Sequence, residues 1–451
     1  MKKLLLLLLV CLAAVPSPAS AAGSLDFDFG RGGKAIVPVP LGAPWSTVPV
    51  RMAEAPDGGI LAAGGEARVI RYLPSGELDP AFGKGGILRI ALPEGGRFTT
   101  TDIGVDPEGK AVLFGTLTRT LPPARGTSSA AVLRLLPDGS LDPGFGGGDG
   151  IFTSRFGLSS RAVASQGAVN KWGEITFVVG SLRRTRECGS PPRVRERDRL
   201  VAQLDPSGGL HRFFGQDGVQ RIAPLREVAS MSFSQSGEIY VAGALARDCG
   251  KGPEAGVISL RPDGDRRAGF AGHGVRKLTG SVAATAVDRR GRVVLLFKQK
   301  QRPRARDEHV TKIVRLLADG SLDGSFDDNG RLVYEFEGPS YKWSSVLADA
   351  SGRILLVGTL IHELPAEKRD ETRVHRFFMA IPVPERGGEP GGFEGEGWIT
   401  YSRLGLGTDA AVSDALIDRE GELLMAGTAR DPKLAPKGGI ALARFELWRA
   451  S

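Results

Sequence analysis

The sequence predicts an all-β protein, a seven-bladed β-propeller with four antiparallel strands in each blade. Three observations predict it. A unit of roughly 60 residues recurs seven times. Each copy carries period-two strand patterns separated by turns that contain glycine. The two ends of the chain supply complementary fractions of one of these seven units.

The unit is plainest at 129–156, SAAVLRLLPDGSLDPGFGGGDGIFTSRF. It reads as an alternating strand, a Pro-Asp-Gly turn, Leu-Asp-x-x-Phe-Gly, and a glycine-rich lead into another strand. The motif phenylalanine recurs at Phe29, Phe82, Phe145, Phe214, Phe270, Phe326 and Phe393. A glycine follows four positions later at Gly33, Gly86, Gly218, Gly274, Gly330 and Gly397, and one place further on at Gly150. Between the phenylalanines lies a short polar turn, as in Asp106-Pro107-Glu108-Gly109 and Asp288-Arg289-Arg290-Gly291. The apolar run after it closes on Gly65, Gly115, Gly180, Gly243, Gly358 or Gly427, with Phe297 breaking the pattern in the fifth copy. Glycine reaches positive φ freely and Asp or Asn tolerates it, so tight turns collect these residues.

Four strands per unit follow from this punctuation. The innermost precedes the polar turn, as in Ala284-Thr285-Ala286-Val287, and the second follows it, as in Val293-Val294-Leu295-Leu296. The third is the Lys312-Ile313-Val314-Arg315-Leu316 type, and the outermost follows the phenylalanine element, as in Arg331-Leu332-Val333-Tyr334. A single four-stranded unit cannot bury both faces, whereas a closed ring of units buries them and protects the edges. The expected blades are 46–92, 98–156, 160–223, 227–279, 282–337, 342–402, and 408–448 closed by 25–39. In the last of these, one N-terminal strand joins three C-terminal ones, so residues 22–451 are expected to form one propeller domain.

The pattern resembles the delta-60 repeat family of bacterial extracellular β-propeller-like proteins. Ala441-Leu442-Ala443-Arg444-Phe445 and Asp319-Gly320-Ser321-Leu322-Asp323-Gly324-Ser325-Phe326 lie on that consensus. The resemblance covers nearly all of the chain after the first two dozen residues. It departs from the consensus at Asp265 to Phe270 and at Glu389 to Phe393, where Leu-Asp is lost. It implies a fold and an extracellular setting, and no activity.

Residues 1–21 have the form of a secretory signal. Lys2 and Lys3 head an apolar run from Leu4 to Val15, and Ala19-Ser20-Ala21 fits a signal peptidase site. The run is too short to span a bilayer, so the expectation is export to the periplasm or beyond after cleavage near Ala21, without membrane insertion. The formal charge is +8. Without Lys2 and Lys3 it is +6, modest for this length and no pointer to nucleic acid. Cys188 and Cys249 remain after processing, and both fall in second-to-third-strand connections of neighbouring blades. In an oxidising compartment they are expected to form a disulfide.

Function is expected on the face carrying the longer connections, 116–129, 181–199, 244–255, 298–310, 359–376 and 428–437. Two of these are basic. Arg183, Arg184, Arg195 and Arg197 lie in one, and Lys300, Arg302 and Arg304 in the other. Arginine grips carboxylate or phosphate with a planar fork. These residues are therefore candidates for holding an anionic polysaccharide or an acidic protein, on a scaffold expected to act as a monomer. The competing reading is that they are solvated loops whose charge only keeps the protein soluble.

No catalytic group, cofactor or metal ligand is assigned. Asp327-Asp328-Asn329-Gly330 and Gly148-Asp149-Gly150 lack the ligand spacing of a calcium loop and read as turns. His309, His362 and His375 match no zinc spacing. Trp45 and Trp343 precede inner strands, where they either line the channel mouth or fill a blade interface. A propeller hydrolase or lyase is the alternative, with Glu54, Asp102, Asp409 and Asp414 as channel-mouth carboxylates. Convergent polar groups in a channel pocket would favour it. A structural surface protein is the third reading.

Overall fold

The structure, a computed structural model, describes residues 24–39, 49–64, 68–92, 96–119, 127–158, 162–185, 193–245, 253–298, 300–301, 308–337, 340–349, 351–364, 373–388, 399–401, 409–431 and 435–447. Only the backbone is described at 127, 181–185, 193–198, 300–301, 308–309, 336–337, 362–364, 373–375, 377, 399–401 and 409.

Seven antiparallel sheets form the ring. Blade 1 comprises Val50–Glu54, Ile60–Gly64, Arg68–Tyr72 and Ile87–Arg89, innermost to outermost. Blade 2 comprises Arg97–Val105, Ala111–Arg119, Thr127–Leu135 and Ile151–Ser154. Blade 3 runs Ala162–Val169, Ile175–Thr185, Arg193–Leu204 and Val219–Arg221. Blade 4 runs Leu225–Phe233, Ile239–Leu245, Glu254–Leu260 and Val275–Thr279. Blade 5 holds Val282–Val287, Val293–Phe297, Glu308–Leu316 and Arg331–Glu337, with the short Lys300–Gln301 also on Glu308–Leu316. Blade 6 holds Ser340–Ala348, Ile354–Leu364, Arg373–Val383 and Ile399–Tyr401. In blade 7, Asp409–Ile417, Leu423–Asp431 and Ala435–Phe445 are completed by Lys34–Pro38, which pairs Lys34 with Ala443 and Pro38 with Gly439. The first strands of successive blades touch all the way round, blade 7 against blade 1 included.

The apolar core lies between the blades. Among the described residues it divides into seven clusters, one for each interface. The motif phenylalanine is what each interface closes upon. Phe29, Phe82, Phe145, Phe214, Phe270 and Phe326 are all essentially unexposed. The residue after each donates its backbone N–H to the third-to-fourth-strand turn of the next blade. Examples are Gly30 to Ser75 O (2.6 Å), Gly83 to Asp138 O (2.8 Å), Gly146 to Ser207 O (3.0 Å) and Gly215 to Asp263 O (2.7 Å). The turn glycine of that next blade sits directly on the phenylalanine. At Gly320, φ is +83° and an added Cβ would lie 2.8 Å from the Phe270 ring. The sequence repeat is thus the imprint of one inter-blade joint used over and over.

A second repeated joint is ionic. In blades 1, 2, 5 and 7 an arginine on the third strand donates Nε to the motif aspartate: Arg71 to Asp79 (2.8 Å), Arg134 to Asp142 (2.8 Å), Arg315 to Asp323 (2.7 Å) and Arg444 to Asp26 (2.5 Å). Three of these guanidinium groups also lie over their own motif ring, Arg134 on Phe145, Arg315 on Phe326 and Arg444 on Phe29. Both partners are buried in blades 1, 2 and 5 and Arg444 is half-buried, so each pair is held by paired charge and hydrogen bonds together.

One expectation needs correcting. The glycines at 115, 180, 243, 358 and 427 do not end the second strands, and the strands run on past them into the segments read as irregular connections. In blade 3 the pairing extends to Thr185 opposite Arg193, and in blade 6 to Leu364 opposite Arg373. These glycines mark a close approach instead. Gly115, Gly243, Gly358 and Gly427 face a β-bulge on the innermost strand, and a Cβ at Gly243 or Gly427 would lie within 2.0 Å of the carbonyl oxygen of Glu227 or Ala411, whereas Gly180 lies against the Arg199 side chain. In blade 5 Phe297 stands at that position, and the second strand stops there.

Candidate functional site

The bulges aim side chains into the centre of the ring. Register breaks fall at Thr100/Asp102, Ala164/Gly167, Val228/Ser230, Val282/Ala284, Trp343/Ser345 and Val412/Asp414 on six innermost strands. A bulge carries two residues opposite one and turns the strand locally. Polar groups from all seven blades line one cavity of about 220 Å³: Arg51 from the unbulged strand of blade 1, with Asp102, Gln166, Ser230, Thr285, Ser344 and Asp414.

Most of these groups tie one blade to the next. Asp102 accepts from Ile103 N (3.0 Å) on its own strand and from Gly167 N (2.9 Å) on blade 3. Asp414 accepts from Ala415 N (3.0 Å) and, across the closure, from Met52 N (3.0 Å) on blade 1. Ser230 Oγ accepts from Thr285 N (3.1 Å) of blade 5. In the other direction Thr101 Oγ1 donates to Ala164 O (2.8 Å), Ser344 Oγ to Val412 O (2.9 Å) and Arg51 Nη1 to Ser413 O (2.9 Å). The bulges leave backbone groups outside the sheet ladders, and these side chains satisfy them.

The electrostatics concentrate on three residues. Burial pushes the Asp102 carboxyl up to about 6, with Arg51 pulling it down and Asp414 adding to the rise. Burial likewise raises Asp414, opposed by Arg51. One guanidinium therefore serves two buried carboxyl groups. Such a set can bind a polar ligand, or hold a proton near neutral pH.

The sequence singled out Asp102 and Asp414 but not the arginine between them. The signal was available: Asp102, Ser230 and Asp414 each stand 13 residues before the glycine that faces the bulge, at Gly115, Gly243 and Gly427, and Arg51 stands the same distance before Gly64, in a blade without a bulge. Glu54 points elsewhere, accepting from Arg419 Nε (2.8 Å) and Arg419 N (3.0 Å), and so joins blade 1 to blade 7. Asp409 begins the innermost strand of blade 7, and its side chain is not described. Trp343 does not line the channel. It is buried between blades 5 and 6, its ring tilted 55° to that of Tyr341 with centroids 5.0 Å apart, and donates Nε1 to Thr311 Oγ1 (2.8 Å).

Of the basic candidates, Arg183, Arg184, Arg195 and Arg197 lie on paired strands rather than on an irregular loop, Arg183 standing opposite Arg195 and Arg184 opposite Val194. The strand pattern simply continues through them, which the charge run concealed. Lys300 pairs with Val310. Arg302, Arg304, Cys188, Cys249, Trp45 and residues 1–21 lie outside the described residues. Among the described residues no group of acids, histidines and cysteines is placed to hold a metal, and no helix is long and apolar enough to cross a membrane.

Fold and site together define a seven-bladed propeller with a polar, carboxylate-bearing channel. Comparison with known proteins agrees on the fold. A family described as a domain of unknown function (DUF5122) β-propeller matches residues 120–145 and 309–326. No curated protein matches the chain. Among solved structures, an ulvan lyase of polysaccharide lyase family PL25 is 11% identical, with a TM-score of 0.44 over 95% of this chain and 96% of its own. A protein of unknown function from Dyadobacter fermentans is 12% identical (TM-score 0.39, 80% and 97%). The soluble aldose sugar dehydrogenase of Escherichia coli is 9% identical (TM-score 0.36, 92% and 99%).

Proposed function

We propose that this propeller is a binding scaffold, exported to the cell envelope or beyond. On this reading its basic hairpin on blade 3, with the basic segment of blade 5, holds an anionic partner such as an acidic polysaccharide or an acidic protein. The observation that carries the reading is the register of Ile175–Thr185 with Arg193–Leu204. It turns an arginine-rich stretch into a two-stranded ribbon fixed to a rigid blade. Ordering the backbone in advance lowers the entropy cost of presenting several guanidinium groups to one partner. The bulge-borne polar groups of the channel are largely committed to blade-to-blade hydrogen bonds, which leaves them less free for a ligand.

The test is an array of neutral and anionic polymers probed with the mature chain at low and high salt. Binding to acidic polymers that weakens with salt is expected, and its loss in the quadruple charge reversal Arg195→Glu, Arg197→Glu, Arg302→Glu, Arg304→Glu would tie it to the two basic segments. Unchanged binding in that variant overturns the proposal. One observation favours the second reading, a hydrolase or lyase: the Asp102 carboxyl, pushed up to about 6 beside Asp414 and Arg51, is poised for proton transfer near neutral pH. Shortened polymer recovered from the same array would support it.

A further inference from the structure

The ionic joint described above is missing from blade 3, and a cleft stands in its place. In blade 2 the Arg134 guanidinium crosses the interface to Pro206 O of blade 3 (2.5 Å). In blade 5 Arg315 reaches Glu385 O of blade 6 in the same manner. Blade 7 sends Arg444 to Pro74 O of blade 1 (3.5 Å). In blade 4 the third-strand residue is Ser259, and Arg267, from the motif aspartate's place, reaches Ala318 O (3.2 Å) instead. In blade 3 the arginine is replaced by Gln203 and its aspartate by His211. Gln203 is too short to cross. Between blades 3 and 4 there opens a cleft of about 270 Å³, with Gln203 on one side and Pro262, the next blade's acceptor position, on the other.

The chemistry of this cleft is what remains when a guanidinium is taken out of the joint. Gln203 and Thr176 are almost fully buried at its base, Gln203 Nε2 donating to Thr176 Oγ1 (3.0 Å). That leaves Gln203 Oε1 as acceptor toward His211 Nδ1 (2.8 Å). Glu174 also lines it, where blade 2 carries Lys110. Glu174 accepts from Asn170 Nδ2 (2.7 Å) and lies 3.8 Å from His211 Nε2. Val169, Phe233 and Ile239 supply apolar wall for an alkyl stem, and the exposed Trp172 supplies a ring face at the rim. Lys171 Nζ lies 4.5 Å from the centre of that ring, so a cation is already accommodated there. Counting by position, Asp106, Lys110, Arg134 and Asp142 of blade 2 become Asn170, Glu174, Gln203 and His211. Both cations are lost and one carboxylate remains.

We propose that this cleft is a binding site for an alkylguanidinium group, which takes from a ligand the arginine that blade 3 lacks. Glu174 and the Pro262 carbonyl are the acceptors for the fork, and the apolar wall covers its stem. Planar guanidinium suits this set better than ammonium, because it stacks on aromatic faces and is more weakly hydrated. The group is carried equally by free arginine and by an arginine side chain of a protein.

Isothermal titration with N-acetyl-L-arginine methylamide, free L-arginine, N-acetyl-L-lysine methylamide and indole tests this on the whole chain. The arginine methylamide is expected to bind saturably and at least tenfold tighter than the lysine one. Comparable binding of free arginine would identify a free-metabolite site, and its failure beside a bound methylamide would identify a protein side chain. The double substitution Gln203→Arg, His211→Asp rebuilds the joint of blade 2 and is expected to abolish binding while preserving or raising the melting temperature. Glu174→Gln leaves the cleft open and is expected to weaken binding at least tenfold, so the charge is tested even if the rebuilt joint fails to fold. No saturable guanidinium binding, tighter binding of indole or of the lysine compound, or undiminished binding in either variant overturns the proposal.

Discussion

Replacing Asp323 by alanine is the sharpest probe of the joint that holds the ring. Arg315 Nε donates to Asp323 Oδ2 at 2.7 Å, with side-chain exposures of 1% and 5%. Arg292 Nη1 lies 3.7 Å from the same oxygen. Asp323→Ala therefore strands one buried guanidinium and deprives a second, which keeps Asp288 at 2.6 Å and Glu385 at 3.4 Å. Breaking a buried pair from one side costs about 3–5 kcal/mol, because the remaining charge stays desolvated without compensation. With a denaturant slope of roughly 3 kcal/mol/M in urea, the midpoint should fall by about 1 M or more. Equilibrium urea unfolding followed by circular dichroism measures this.

Two companions isolate the cause. Asp265→Ala removes a partner of Arg261 at 3.4 Å, but both side chains are more than half exposed, so only about 0.5 kcal/mol or less is expected. The double change Arg315→Met, Asp323→Leu should recover at least half of the single loss, since no uncompensated charge is left by Arg315. A midpoint for Asp323→Ala no lower than that for Asp265→Ala would refute the reasoning. So would a double variant as unstable as the single. The pH sense is also set. Burial pushes the Asp323 carboxyl up, but hydrogen bonds from Ser325 and Arg315 more than reverse it, so it sits below the ordinary range. Its contribution is therefore present above the ordinary carboxylate pKa and lost as the pH falls through the lowered value.

Asp102 has the opposite sign. With its carboxyl pushed up to about 6, the fold disfavours its ionised form, and its contribution to stability improves as the pH falls from about 6 toward the ordinary carboxylate range. Carbon-13 carboxyl NMR should find one aspartate titrating near that pH, and Arg51→Met should move both Asp102 and Asp414 further up. A full set of ordinary titrations would refute the channel electrostatics. For the cysteines, thiol titration of the denatured, unreduced chain should find no free thiol if Cys188 and Cys249 are joined, and two free thiols would discard that pairing.

Much of this protein was legible in the sequence because its repeat records local and nearest-neighbour physics. The phenylalanine and the Pro-Asp-Gly turn serve the same inter-blade joint, and the glycine four places on closes the turn within its own blade. Seven copies of the pattern therefore announce seven blades. The ribbon of blade 3 looks like loop in the sequence because Arg183, Arg184, Arg195 and Arg197 mask the strand alternation, and because Gly180 looks like a terminator. Only the tertiary structure showed that Gly115, Gly243, Gly358 and Gly427 of the second strands face bulges, since the atoms they avoid belong to another strand.

The channel and the cleft lie beyond the sequence for a related reason. Arg51, Asp102 and Asp414 come from blades 1, 2 and 7, and meet only because the ring closes. Gln203 is an ordinary polar residue until its place is seen to be that of Arg134. The sequence by itself determined the blade, its turns and its number of copies, which depend on chain-local geometry and on packing one unit against the next. The tertiary structure alone decided which polar groups share a cavity and where a joint is left empty, because both depend on distances between segments the chain does not place side by side.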